Sequence, residues 1–168
     1  MPNTPRRAQL DLSAYAQQSQ TEPCFVCRIV DGSHAFPHAE IYRDDYAIAF
    51  MNRYPTLLGY SLVAPLEHRT QAIDDFSPEE YVRLQALVHR VGRAIRATVP
   101  TERLYVLSLG SNQGNAHVHW HIAPLPPGVP YDEQQFAALM LESIGYIDLE
   151  PAEHHELAQR IRAALPDT

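Results

Sequence analysis

Between residues 39 and 52 the chain reads AEIYRDDYAIAFMN, with apolar and polar positions alternating on either side of Asp44 and Asp45. Period-two alternation around an aspartate turn predicts a β-hairpin. GYSLVAP, residues 59–65, continues as a third strand and ends at a proline. The period then changes: from Tyr81 onward Leu84, Val88, Val91 and Ile95 recur every three or four positions down to Pro100. That spacing predicts one long helix with a single apolar face. Its start is marked by Ser77 as N-cap, Pro78 in the first helical position and Glu80 placed to complete a capping box.

LYVLSLG at 104–110 and HVHWHIAP at 117–124 return to strand patterns before the proline-rich LPPGVP at 125–130 interrupts them. Two amphipathic helices are predicted beyond it, at about 132–144 and about 151–165. Residues 1–22 are polar, carry a short helical pattern over 11–18, and read as an N-terminal extension. The pattern as a whole predicts an α+β fold, an antiparallel sheet of about five strands with one long packed helix. The domain is expected over residues 23–130, with a helical tail, 131–168, packed on it.

Composition fits one globular domain: 168 residues, 45% hydrophobic and 20% charged. No stretch approaches the roughly 20 consecutive apolar residues that span a bilayer, and MPNTPRRAQLDLSAY lacks the apolar centre of a signal peptide. A cytoplasmic protein without a membrane partner is therefore expected. A formal charge of −7 argues against general nucleic-acid binding, which needs a basic surface. All 13 basic residues are arginine, which excludes a P-loop lysine and a Schiff-base lysine. Phosphate chemistry would fall to arginine, histidine, backbone N–H groups or a metal.

HVHWH supplies the chemistry. On a strand His117, His119 and His121 share one face, spread over about 13–14 Å, while Val118, Trp120 and Ile122 share the other. Such a row could be a solvated surface strand or a source of metal ligands, although histidines four apart on one strand are too distant to share an ion. It could also be a nucleophile with flanking donors, since a neutral imidazole attacks phosphorus well when its other nitrogen is held protonated. Cys24 and Cys27, spaced as CxxC, are half of a tetrahedral zinc site, a redox pair or two buried thiols.

HVHWHIA resembles the His-x-His-x-His-x-x signature of the histidine triad family, and CFVCRIVDG, AEIYRDDYAIAFMNRYP and GYSLVAPLEH resemble family segments in the same order. The likeness spans roughly residues 24–124, and MNRYPTLLGY is similar to the fragile-histidine-triad branch, which cleaves dinucleoside polyphosphates. The resemblance implies a nucleoside-phosphate hydrolase or nucleotidyltransferase acting at an α-phosphorus. His119 matches the nucleophile that forms a nucleotidyl-histidine, and His121 the residue at the phosphate and leaving group. His117 matches the residue whose carbonyl holds the nucleophile's other nitrogen. Asn52 matches a ribose-binding position, and Ile29, Ile41 and Phe50 would line a base pocket. Zinc-bearing members of the family imply a structural Zn2+ on Cys24, Cys27, His68 and His117, and members commonly form homodimers. His34, His38, His89, His154 and His155 have no comparable partner and are expected to be solvated.

Two departures stand out. Tyr60 occupies a position where most members carry histidine and is expected to keep a phosphate contact through its one donor while losing the charge, and the loop before the triad is short, leaving Gln113 or Asn115, with Gly114 beside them, to replace the usual polar phosphate contact. Tyr60 motivates an alternative, a catalytically weak nucleotide-binding or scaffold protein with structural zinc. A metallohydrolase using the histidines as catalytic ligands is a third reading.

Overall fold

The computed structural model describes residues 6–167, so residues 1–5 of the expected extension and residue 168 of the tail lie outside the described residues. In chain order the first elements are β1 (Arg7–Ala8), α1 (Leu12–Thr21), α2 (Phe25–Asp31), β2 (Glu40–Arg43), β3 (Ala47–Met51) and β4 (Ser61–Pro65). There follow α3 (Pro78–Thr98), β5 (Arg103–Ser108), β6 (Trp120–Leu125), α4 (Leu141–Ile144), β7 (Tyr146–Ile147) and α5 (Pro151–Ala163). Five strands form one sheet in the order β2-β3-β4-β6-β5, every neighbouring pair antiparallel. This is the α+β arrangement the sequence predicts, with α3 as the long helix.

The capping box predicted for α3 is formed. Ser77 Oγ accepts from the Glu80 N–H at 3.2 Å, and the Glu80 carboxylate accepts from the Ser77 N–H at 2.9 Å. The apolar stripe of α3 then buries Leu84, Val88, Val91 and Ile95 against Val63, Trp120 and Ile122 on one face of the sheet. The opposite face packs Phe50, Leu62 and Leu125 against Val26 and Ile29 of α2 and Ala138 of the tail. This second face carries the histidines.

Four sequence expectations change. CFVCRIVD, read for its cysteines alone, is a helix: Cys24 Sγ accepts from the Cys27 N–H at 3.5 Å, and Gly32, at φ 79°, ends it. The β6 ladder begins only at Trp120, so His117 and His119 lie in chain that precedes the strand and is tied down by the Val118 N–H donating to the Arg69 carbonyl at 2.7 Å. The helix expected at 132–144 is broken into two 3-10 turns, Tyr131–Glu133 and Ala137–Leu139, and the single turn of α4. Gln135, at φ 57° between the two turns, is incompatible with a continuous helix. Finally, the polar start of the chain is stitched to the tail: β1 pairs antiparallel with β7, Arg7 opposite Ile147 and Ala8 opposite Tyr146.

The tail also corrects one histidine. His155 is exposed, but His154 is only 3% exposed and lies edge-on to the Phe36 ring. It belongs to the buried stripe His154, Leu157, Ala158, Ile161 of α5. Burial lowers its pKa from the ordinary value of about 6.5, so the unfolded chain binds this proton more readily than the folded protein does. The neutral ring is tolerated above that value, and stability is lost as pH falls below it. His154→Leu is expected to move the midpoint of acid unfolding to lower pH while leaving stability at pH 8 little changed. A midpoint that stays put or rises would contradict this.

Candidate active site

The alternation expected of HVHWH survives although its first half lies outside the ladder. Val118, Trp120 and Ile122 enter the core beneath α3, with Trp120 meeting Phe76 and Tyr81 edge-on at centroid distances of 6.0 Å. His117, His119 and His121 turn to the other face. The backbone holds them in place: Ser108 Oγ on β5 donates to the His119 carbonyl at 2.8 Å.

Each imidazole has a different second partner. His119 Nδ1 lies 2.7 Å from the His117 carbonyl oxygen. A carbonyl only accepts, so Nδ1 carries the proton and Nε2 keeps its lone pair. Burial holds the His119 pKa below the usual histidine value, partly opposed by that backbone bond, and the ring is neutral at pH 7. His121 Nδ1 is 2.9 Å from the Tyr60 hydroxyl, and its Nε2 is buried without a hydrogen-bond partner among the described residues. Burial and the neighbouring His119 lower the His121 pKa to about 3. The ring centroids of His119 and His121 are 4.7 Å apart.

His117 faces away from this pair. Its Nε2 is 3.0 Å from the Pro65 carbonyl, which puts the proton there and leaves Nδ1 as a ligand atom. That Nδ1 is 3.5 Å from Cys24 Sγ and 3.6 Å from Cys27 Sγ, while His68 Nδ1 is 3.3 Å from Cys27 Sγ. A tetrahedron with Zn–S bonds of about 2.3 Å and Zn–N bonds of about 2.0–2.1 Å has S–N edges of about 3.5 Å. The ligand atoms of Cys24, Cys27, His68 and His117 all lie within 4.8 Å of one another, so the four residues fit zinc. Among the described residues His119 and His121 belong to no such group.

A cavity of about 420 Å³ opens over His119 and His121. Ile29, Phe50 and Asn52 line it, and so do Gln113, Gly114 and Asn115. Ile41 does not. It is fully buried on the opposite face of the sheet, in the cluster under α3, because the bulge between Glu40 and Tyr42 and the strand pleat turn it there. Tyr60 is 6% exposed and meets the cavity only through His121. Asn52 Oδ1 accepts from the Tyr54 N–H at 3.0 Å, which leaves its amide N–H groups free to donate.

Sequence reasoning missed the wall built by α1, from which Tyr15, Gln18 and Ser19 line the cavity, and the contribution of Phe25 and Arg53. His34 and His38 line it too, in place of the solvated positions expected for them. Tyr15 was the one aromatic in a polar segment, the only signal that this segment covers something. The role of Gly114 also changes. A Cβ there would lie 2.9 Å from the Ser19 carbonyl oxygen, so the glycine lets α1 cross the loop. Asn115 donates from Nδ2 to the Tyr15 hydroxyl at 3.1 Å and reinforces the crossing. Gly114→Ala is expected to cost about 1–3 kcal/mol by overpacking, or a Tm lower by roughly 2–4 °C per kcal/mol, with faster amide exchange across α1. Unchanged Tm and exchange would mean that the close approach is not kept in solution.

An antiparallel sheet that carries alternate histidines above a cavity, the first of them turned into a Cys2His2 cluster, defines a histidine triad protein. Residues 34–127 match the HIT domain model, and the chain belongs to that family. An adenosine 5'-monophosphoramidase of Schizosaccharomyces pombe is 30% identical over 129 residues, covering 69% of this chain and 92% of the relative. An uncharacterized HIT-like protein of Mycobacterium tuberculosis is 32% identical over 108 residues, 61% of this chain and 71% of the relative. A crystal structure of a Zn-bound histidine triad family protein from Mycobacterium smegmatis superposes with a TM-score of 0.65 at 25% identity, over 84% of this chain and 91% of that one.

Proposed function

We propose that the protein cleaves nucleoside phosphates at the α-phosphorus through a covalent nucleotidyl-His119 intermediate. The carrying observation is the His119 Nδ1 contact with the His117 carbonyl, which leaves Nε2 as the unprotonated nitrogen of a ring lining the cavity. In the first step the Nε2 lone pair forms an N–P bond, and the bond from phosphorus to the leaving oxygen breaks with its electrons on the departing group. In the second, water attacks the same phosphorus, the N–P bond breaks, and the nucleoside monophosphate is released. Asn52 would donate to ribose hydroxyls, with Ile29 and Phe50 against the base. Among substrates we favour a dinucleoside polyphosphate, on the MNRYPTLLGY segment. The yeast phosphoramidase relative makes a nucleoside phosphoramidate the second class.

In this reading Cys24, Cys27, His68 and His117 hold a structural zinc that closes its own coordination shell and fixes the peptide carrying the His117 carbonyl. The cysteines then need a reducing compartment, in keeping with a cytoplasmic protein. No described helix is long and apolar enough to cross a membrane. A homodimer belongs to the same reading: β5 is an edge strand of the five-stranded sheet, and its Val106 is 50% exposed, with Leu109 beyond it 59% exposed. The test is a nucleotide panel assayed for turnover, with acid quenching avoided so that an acid-labile nucleotidyl-protein can be trapped. Turnover with a trapped adduct is the expected result. A wild-type protein that binds nucleotides and turns none over would favour the scaffold reading.

A further inference from the structure

Resting on that reading, we infer that Tyr60 is a positioning residue that fixes the tautomer of His121, making it a neutral N–H donor to the leaving group and favouring substrates whose leaving group departs as an anion. Tyr60 and His121 meet inside the protein. The hydroxyl lies 2.9 Å from His121 Nδ1, the rings are edge-on at 5.7 Å, and Tyr60 is 6% exposed. A phenol has one hydrogen to place, and a neutral imidazole has one. Either the phenol donates to Nδ1 and the ring proton sits on Nε2, or Nδ1–H donates to the phenol oxygen.

The second arrangement strands the phenolic hydrogen, because among the described residues the Tyr60 hydroxyl has no partner besides His121. It also leaves the Nε2 lone pair without a donor, two unpaired buried groups against the single Nε2–H left by the first arrangement, so the first arrangement holds. Burial reinforces it by pushing the Tyr60 pKa up to about 12, which keeps the phenol protonated. The Nε2–H of His121 is consequently a buried donor without an acceptor beside the cavity that His119 also lines. The two rings present opposite polarity: a lone pair on His119 to attack, an N–H on His121 to receive an oxygen. With the other tautomer, two lone pairs would face an anionic phosphate.

The leaving-group preference follows. A neutral N–H stabilises the oxygen of a departing phosphate, which leaves as an anion. An amine leaving from phosphorus must acquire a proton, which a neutral imidazole gives up far less readily than an imidazolium does. The family histidine at this position could carry positive charge; Tyr60 at neutral pH cannot. The site is therefore built for phosphoanhydrides over phosphoramidates.

Long-range 1H–15N correlation spectra of 15N-histidine-labelled protein read the tautomer directly. Wild type is expected to show His121 protonated on Nε2, and Tyr60→Phe to lose that bias. In steady-state assays Tyr60→Phe is expected to lower kcat on a dinucleoside polyphosphate by about tenfold, below the 10²–10⁴ span of a lost general acid, with KM nearly unchanged. Tyr60→His, which restores a donor to Nδ1, is expected to recover that loss and to narrow the wild-type preference for the anhydride over a nucleoside phosphoramidate. A wild-type His121 protonated on Nδ1 overturns the inference, as does a Tyr60→Phe protein with unchanged tautomer and kcat, or a wild type that prefers the phosphoramidate. Absence of all turnover would instead sink the catalytic reading, while the spectra would still decide the tautomer.

Discussion

Replacing His119 with alanine is expected to reduce turnover of a dinucleoside polyphosphate by roughly 10³- to 10⁶-fold, the scale on which removal of a catalytic nucleophile acts. The nucleotidyl-protein adduct should disappear with it, because neither of the other two triad rings offers a free lone pair: His121 is tied to Tyr60 through Nδ1, and His117 is committed to Pro65 and the cysteines. Bound zinc should be unchanged in the variant, since the His119 side chain is not among the four clustered ligands. That measurement separates the readings. Loss of metal from His119→Ala would point to a metallohydrolase, and retained turnover with a retained adduct would place the nucleophile elsewhere.

The second large effect is expected on removing the metal. Burial and the adjacent Cys24 push the Cys27 thiol up to about 11, so ligation by two thiolates displaces protons and is favoured by rising pH. A ligand at a thousand times its Kd stabilises the folded state by about 4 kcal/mol. For a chain of this size each kcal/mol moves Tm by about 2–4 °C, so chelation, or the pair Cys24→Ser and Cys27→Ser, is expected to lower Tm by roughly 10 °C. Turnover should fall as well, because the residue that supplies Nδ1 to the cluster supplies its carbonyl to His119. A metal-free sample with unchanged Tm and full activity would sink the structural-zinc reading.

The strands β2 to β4 and the helix α3 were legible because each is long enough to show its period and is bounded by recognisable turn or cap residues. The short pieces were not. Two-residue strands such as β1 and β7 have no period to read, and 3-10 turns leave no stripe. Ile41 shows a second limit. Every residue of the neighbouring β3 is buried, so parity along this hairpin does not say which apolar residue faces α3 and which faces the cavity. His154 is a different case: its spacing to Leu157, Ala158 and Ile161 was readable, and the adjacent His155 and the surrounding charges masked it. At the candidate site the residues on the strand-like run and the CxxC pair were legible as chemistry. The α1 wall was not, because a polar helix announces its cavity only after the fold has brought it there.

The pairing of β1 with β7 joins residues some 140 positions apart, Arg7 to Ile147 and Ala8 to Tyr146. The ribosome makes the chain from its N-terminus, so β1 and α1 exist long before the strand that fastens them. Every residue of the five-stranded sheet, the triad and the Cys2His2 cluster is made before Tyr146 and Ile147. Until β7 is made, the near wall of the cavity has only the crossing of α1 over the Gly114–Asn115 loop to hold it, and the strand pairing adds the second fastening late.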